Sequence, residues 1–350
     1  MVIGAHTVGH QYPPYVIAEL SANHGQCLGR ALELVTIAAA CGAQAVKLQT
    51  FTPDTLTLDS FKKDFFLPTA GSPWAGERLW DLYKKAYTPW EWHEPIFAAA
   101  RNLGLGCIST AFDEASTKFL VELGVDAIKI ASFELVHIPL IRFAASQNIP
   151  LILSTGMATY AEISEASSAL RESTTRTPIF LKCTSAYPAS PSDANLRVIP
   201  ELERDFNAVV GVSDHTMSIS VVAVAVSLGA RVIEKHLTLS RGDGGPDSSF
   251  SLEPQEFKEV VSVAQECHLA LGKITYGVQP SEQVSAWERP SIWVCRPVQP
   301  GEWFTEANLK IVRPSGGLHP REFGSVIGKK AACYIEAETP LQYTHISSKS

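Results

Sequence analysis

Eight short apolar runs, each closing on polar residues, constrain the fold of this chain more than any other feature. They are Tyr15–Asn23, Ala45–Thr50, Gly106–Phe112, Ala127–Glu134, Pro150–Gly156, Pro178–Thr184, Ala208–Thr216 and Arg231–Thr238. Between several of them, the segments Ala31–Cys41, Asp113–Leu123, Ile138–Gln147 and Ala161–Arg171 carry apolar residues at helical spacing. Continuous apolar strands alternating with helices mark parallel βαβ units, whose strands are covered on both faces. Eight such units predict a (β/α)8 TIM barrel in the α/β class, with a doubly wound open sheet as the weaker option. The 350 residues exceed the ~250 usual for one barrel and leave room for a second small domain.

The second connection, Phe51–Leu105, is too long for a plain crossover. Its Trp74, Trp80, Trp90 and Trp92, with Tyr83 and Tyr87, read as an insertion folded over one end of the barrel, either a packing apron or a substrate lid. The chain divides into a barrel domain at 1–275, a linker at 276–289 and a small β-rich module at 290–350. In that module Pro300-Gly301-Glu302 and Gly316-Gly317 mark tight turns.

Composition narrows the function classes. A net charge of −7 disfavours non-specific nucleic-acid binding. No run approaches the ~18 uninterrupted apolar residues of a membrane span. The seven cysteines are odd in number and lack Cys-x-x-Cys spacing. With no N-terminal signal sequence, they point to reduced thiols in the cytoplasm. The absence of Walker-type, Gly-x-Gly-x-x-Gly and Gly-x-Ser-x-Gly loops disfavours nucleotide binding and serine hydrolysis. Cys183 and Cys107 lie within strands and read as inert core residues.

A barrel of this kind carries its active site at the C-terminal strand ends. His215 and His236 close neighbouring runs, Gly211-Val212-Ser213-Asp214-His215-Thr216 and Val232-Ile233-Glu234-Lys235-His236-Leu237-Thr238. Adjacent parallel strands lie about 4.8 Å apart, so the two imidazoles can share one metal ion. Two nitrogen ligands leave positions open for substrate oxygen and water, which suits Mn²⁺, Mg²⁺, Co²⁺ or Zn²⁺. Side-chain alternation puts Lys47 with Gln49, and Glu234 with His236, on one face of their strands, with Lys235 on the other. Lys47 and Lys129 inside apolar strands are costly without an anion. Either a substrate anion meets them, or an internal glutamate such as Glu19 or Glu234 does. Ser154-Thr155-Gly156 suits a phosphate-holding turn. Metal, carboxylates and anion-binding cations together indicate carbon–carbon or carbon–oxygen chemistry on a phosphorylated acid.

The ordered stretches Ile17-Ala18-Glu19-Leu20-Ser21-Ala22-Asn23-His24, Lys47-Leu48-Gln49-Thr50, Lys129-Ile130-Ala131-Ser132, Ser154-Thr155-Gly156, Lys182-Cys183-Thr184-Ser185-Ala186-Tyr187-Pro188, Ser213-Asp214-His215-Thr216 and Glu234-Lys235-His236 resemble the sialic acid synthase family. The tail, with Arg313-Pro314 and Gly317-Leu318-His319-Pro320, resembles that family's C-terminal antifreeze-like (SAF) domain. Tyr87-Thr88-Pro89-Trp90-Glu91-Trp92-His93, Asp81-Leu82-Tyr83-Lys84 and the loop Asp243-Gly244-Gly245-Pro246-Asp247-Ser248-Ser249-Phe250-Ser251 resemble the branch that makes pseudaminic acid. Other branches usually carry histidine where this chain has Ser248.

The resemblance implies a metal-dependent condensation of phosphoenolpyruvate with a 2,4-diacetamido-2,4,6-trideoxyhexose, releasing phosphate by C–O cleavage. It implies that Lys47, Lys129, Ser132, Ser154, Ser185 and Ser213 hold phosphoenolpyruvate, and that His215 and His236 bind the divalent metal. Glu19, Gln49, Tyr187 and Asp247 are then expected on the sugar side, with Glu19 also acting on the attacking water. Arg313 is expected to enter the barrel of a second subunit in a swapped homodimer. The rival readings are a neuraminate or legionaminate synthase, a related synthase acting on a sugar phosphate, and a non-catalytic carbohydrate-binding protein with the barrel as scaffold.

Overall fold

The computed structural model describes residues 1–348; Lys349 and Ser350, the last two residues of the expected C-terminal module, lie outside the described residues. Eight parallel strands close into a barrel: β1 (Tyr15–Glu19), β2 (Ala45–Thr50), β3 (Gly106–Ala111), β4 (Ala127–Ile130), β5 (Leu151–Ser154), β6 (Ile179–Cys183), β7 (Val209–Ser213) and β8 (Val232–His236). Closure comes from β8, which pairs with β7 on one side and with β1 on the other, setting His236 opposite Glu19. Most strands stop short of the ends expected from sequence. Their polar tails leave the ladder for turns, as where Ser21–His24 and Phe133–Val136 form 3₁₀ helices.

Alternation along the strands sorts the side chains into two apolar layers. Val16, Ala18, Val46, Leu48, Ile128 and Ile130 face outward and pack under the surrounding helices. Tyr15, Ile17, Ala45, Ile108, Ile152 and Ile179 face the lumen and fill its lower half. The hairpin Val2–Ile3/His6–Thr7 closes that end, with Ile3 and Val8 joining the lumen cluster. Above this plug the same lumen-facing positions become polar: Glu19, Lys47, Lys129, Ser154, Ser213 and Glu234. The site is therefore an upward continuation of the core pattern.

The helices follow ordinary start signals. Asp113 caps Glu114–Glu122 by accepting from Ser116 N at 2.6 Å, and Thr159 caps Tyr160–Ser173 in a reciprocal box with Glu162. The chain divides into two compact units, Met1–Gly272 and Lys273–Ser350. The expected linker, 276–289, thus falls in the second unit, where it carries the short helix Gln283–Ala286. That unit has an antiparallel sheet of β9 (Ser291–Val294), β10 (Leu309–Val312) and β11 (Thr339–Pro340), ordered β10-β9-β11. Ile292, Val294, Val298, Phe304 and Leu341 form its own core.

Gly211 marks the tightest point of the barrel wall. A Cβ there would lie 2.1 Å from the Val232 carbonyl oxygen and 2.7 Å from Leu181 Cδ2. Gly211→Ala is expected to destabilise the barrel by about 1–3 kcal/mol through overpacking, read as a lower denaturant midpoint of its unfolding transition. An unchanged midpoint would show that β7 and β8 have slack here.

Candidate active site

A cavity of about 360 Å³ opens above the apolar plug. Its floor is a cluster of opposed charges. Lys47 Nζ sits against the Glu19 carboxylate and 3.8 Å from Glu234 Oε1, while Lys129 Nζ lies 3.5 Å from the same Glu234 oxygen. Thr110 accepts from Lys47 at 3.2 Å, and Ser213 Oγ donates to Glu234 at 2.8 Å. All four charged groups are buried. Burial brings the Lys47 ammonium down to about 7 despite Glu234, and Glu234 is held below the usual carboxylate range, burial notwithstanding, by Lys129 and Lys47. The two lysines therefore already have internal carboxylate partners. Of the two alternatives left open by the sequence, the internal glutamate is the one observed, and an incoming anion has to share these lysines.

One wall is built for hydrogen bonding. Ser154 Oγ is buried with no hydrogen-bond partner among the described residues. Ser132 Oγ accepts from Gly156 N at 3.1 Å, and a Cβ on Gly156 would fall 2.3 Å from Ser185 Oγ and 2.7 Å from Ser132 Oγ. Glycine is what lets the two hydroxyls and this backbone N–H converge. Ser132, Ser154 and Ser213 line the cavity; Ser185 stands behind them at Gly156.

His215 and His236 stand at the mouth with ring centroids 5.3 Å apart. His215 Nδ1 lies 2.9 Å from the Thr184 carbonyl oxygen. A carbonyl only accepts, so Nδ1 carries the hydrogen and Nε2 keeps its lone pair when the ring is neutral. Burial and the neighbouring His215 push His236 well below the ordinary histidine range, and its Nδ1 is buried without a partner. The neutral His236 ring with its free nitrogen suits metal ligation, whereas His215 is raised above the ordinary histidine range, burial notwithstanding, by Cys183, so an ion there would displace a proton. Among the described residues no group of three or more His, Cys, Asp or Glu side chains is arranged to hold a metal. An ion on this pair would complete its shell from substrate and water.

Behind the histidines, Asp214 and Lys235 point away from the lumen and pair at 2.9 Å. Lys235 also donates to the Thr216 carbonyl, and Asp214 accepts from Thr216 N at 2.9 Å. This buried clamp joins the ends of β7 and β8, each member one residue before a histidine.

The remaining expected sugar-side residues are Gln49, Tyr187 and Asp247, and all three line the cavity. Gln49 donates to Ser21 Oγ at 3.1 Å, and Ser21 donates to Asp247. Tyr187 packs against His215 with its ring tilted by 49°, the centroids 4.5 Å apart. Arg313 lies in the second unit, exposed, with its guanidinium 3.1 Å from Glu288.

Several contributors escape sequence reasoning. Cys183, expected as inert core, faces the cavity 3.9 Å from His215 Nδ1, because lumen parity places it one step above Leu181. Burial would raise its thiol, but His215 brings it to about 7. Cys107 does lie in the outer core, its thiol pushed up to about 12 by burial. Glu134 lines the cavity with Oε2 unpartnered, and burial pushes it up to about 7 against Lys129. Its signal was position, four residues beyond the end of β4. The insertion divides its labour: Trp90 stacks on Phe119 at 4.7 Å and Trp92 packs against the core, while Trp74 and Tyr83 face the cavity.

Comparison with known proteins gives the same outline. The model of the NeuB family matches residues 34–276, and that of the SAF domain residues 289–347. A pseudaminic acid synthase from Campylobacter jejuni is 42% identical, over 92% of this chain and 93% of that protein. One from Helicobacter pylori is 41% identical over 94% and 96%. Among solved structures, a spore coat polysaccharide biosynthesis protein from Bacillus subtilis aligns over 100% of this chain and 99% of that one, with TM-score 0.68 and 32% identity.

The Asp214–Lys235 clamp makes a testable demand. Lys235→Met should cost about 3–5 kcal/mol, since it strands a buried carboxylate. Adding Asp214→Asn should recover much of that loss in denaturant unfolding. Equal stability of all three proteins would mean that the pair is not desolvated.

Proposed function

The chain belongs to the NeuB family, and we propose that it is a pseudaminic acid synthase, a phosphoenolpyruvate-dependent transferase whose acceptor is 2,4-diacetamido-2,4,6-trideoxy-β-L-altropyranose. The observation that carries this reading is the stacking of two unlike sites in one cavity. A floor of paired lysines and glutamates with the unpartnered Ser154 hydroxyl lies at the bottom, and an imidazole pair beside partly aromatic walls lies above it.

Phosphoenolpyruvate is assigned to the floor. Lys47 and Lys129 counter its charge, and Ser154, Ser132 and Ser185 donate to its oxygens, joined by Ser213 once its hydroxyl turns from Glu234. Gln49, Tyr187 and Asp247 hold the open-chain sugar with its aldehyde toward the histidines. NeuB-family synthases are generally metal-dependent, and a divalent ion held by His215 and His236 would polarise that aldehyde as a Lewis acid. The C2–C3 π electrons of phosphoenolpyruvate form the new bond to aldehyde C1, leaving an alkoxide that takes the proton the attacking water gives up through Glu19. Water adds to the cationic C2. Glu19, held against Lys47 at the floor, positions that water and takes its proton. The resulting hydroxyl at C2 loses its proton as the C2–O bond to phosphate breaks, leaving the 2-keto acid and inorganic phosphate.

Two further assignments rest on the family likeness. A swapped homodimer would bring Arg313 of one chain to the sugar in the other, and the exposure of Arg313 suits that role. A cytoplasmic location suits the seven free cysteines. No helix among the described residues is long and apolar enough to cross a membrane.

Phosphate release from phosphoenolpyruvate with Mn²⁺, in parallel with the trideoxy diacetamido altrose, N-acetylmannosamine and the legionaminate precursor, tests the reading. Turnover is expected with the first sugar. Turnover with another alone moves the chain to a different branch, and silence with all three from folded protein overturns the synthase reading. Removing the metal with a chelator should abolish turnover and Mn²⁺ should restore it. His236→Ala should lower kcat by roughly 10²–10³, the usual cost of losing one electrostatic stabiliser of a developing oxyanion.

A further inference from the structure

Trp74 separates two spaces. The inner cavity above the charged floor and an outer recess toward Gly71, Lys85 and Ser249 share Trp74, Leu82, Tyr187 and Pro246 in their walls. The indole therefore stands as a partition at the end of the inner cavity. Its Nε1–H donates to the Pro246 carbonyl at 2.6 Å, which spends its polar atom on the backbone. What it offers the cavity is hydrocarbon.

The rings around Trp74 are contiguous with the imidazole pair. Phe250 lies perpendicular to Trp74 at 5.8 Å and beside His236 at 5.1 Å, and Tyr187 bridges Trp74 at 5.2 Å and His215 at 4.5 Å. The indole therefore stands two ring-to-ring steps from the nitrogens assigned to the aldehyde end, on one continuous wall along which an open-chain acceptor can lie. Leu56, Leu67, Leu79 and Leu82 of the insertion continue the apolar wall. The loop that anchors the indole is itself fixed. Ser248 Oγ donates to the Gly245 carbonyl at 3.1 Å, Ser251 Oγ donates to the Asp247 carbonyl at 2.6 Å, and the Asp247 carboxylate is held by Ser21.

We propose that Trp74, seated on Phe250 and Tyr187, is the acceptor-selectivity residue: it receives the deoxygenated C6 end of the sugar and disfavours acceptors that carry a hydroxyl there. This deepens the synthase reading and rests on it. A C6 methyl loses no hydrogen bond against this wall. A C6 hydroxyl does, because this indole face offers only carbon, its N–H already donating to Pro246. An apolar site rejects an added hydroxyl by roughly 10²-fold, which is the discrimination expected of the native enzyme.

The test compares kcat/KM for the 2,4-diacetamido acceptor with its 6-hydroxy analogue, in the wild type, Trp74→Gln and Trp74→Phe. Trp74→Gln should reduce the 6-deoxy preference at least tenfold, with the KM for phosphoenolpyruvate unchanged within twofold. Trp74→Phe should restore most of the preference. The inference is overturned by a preference unchanged in Trp74→Gln, by a parallel rise in phosphoenolpyruvate KM, or by loss of turnover with both acceptors in both variants. It is equally overturned if the wild type treats the two acceptors alike, a measurement that needs no variant to fold. Silence of the wild type with every acceptor is a different result and counts against the synthase reading itself.

Discussion

Two lysines and two glutamates buried together at the floor of the barrel are the constraint around which the rest is arranged. Taking any one of these charges from water alone would cost several kcal/mol. Lys47 between Glu19 and Glu234, with Lys129 on the far side of Glu234, makes the set formally neutral and so allows it to exist inside a hydrophobic barrel. The barrel register brings them together in staggered steps: Glu19 is paired with Lys47, Glu234 with Ser213 and Lys129 with Thr110, the residue that accepts from Lys47. The apolar filling stops where this set begins. The floor is thus a preorganised set of dipoles and charges, assembled before any ligand arrives.

Much of this was legible in the chain because strand parity is a strict rule. Once Lys47 and Glu234 are placed inward, Gln49 and His236 follow, and Lys235 must point out, as its pairing with Asp214 bears out. The eight runs and the helices between them were readable for the same reason, since burial on both faces leaves an uninterrupted apolar signature. Strand ends were less readable. Ser132 and Glu134 sit beyond β4, where hydrogen bonding to turns replaces the ladder, and no periodicity reports on where such side chains go. Cys183 failed differently: composition marks a strand cysteine as core, and only the register shows that this one looks upward into the cavity. Trp74 was visible as part of an aromatic insertion, but aromatic content cannot distinguish a ring that packs, such as Trp90, from one that faces a cavity. That depends on tertiary placement.

The insertion and the barrel contribute opposite chemistries to one space. The barrel supplies fixed polar groups from rigid strand ends, held to their positions by a continuous ladder. The insertion supplies carbon surface from short helices and turns, whose contacts with the barrel are mainly aromatic edges and single backbone bonds. Electrostatic positioning demands the first kind of support. Shape recognition tolerates the second.

The hairpin at the start of the chain turns the barrel from a tube into a cup. Ile3 and Val8 pack among the lower lumen residues, so that among the described residues an apolar plug lies beneath the cavity. Anything resting on the lysine floor must leave by the route it used to enter, and whatever sits above it stands in that route. With phosphoenolpyruvate on the floor and the sugar above it, the deeper ligand would have to arrive first, a constraint set by two short strands at the opposite end of the barrel from the histidines.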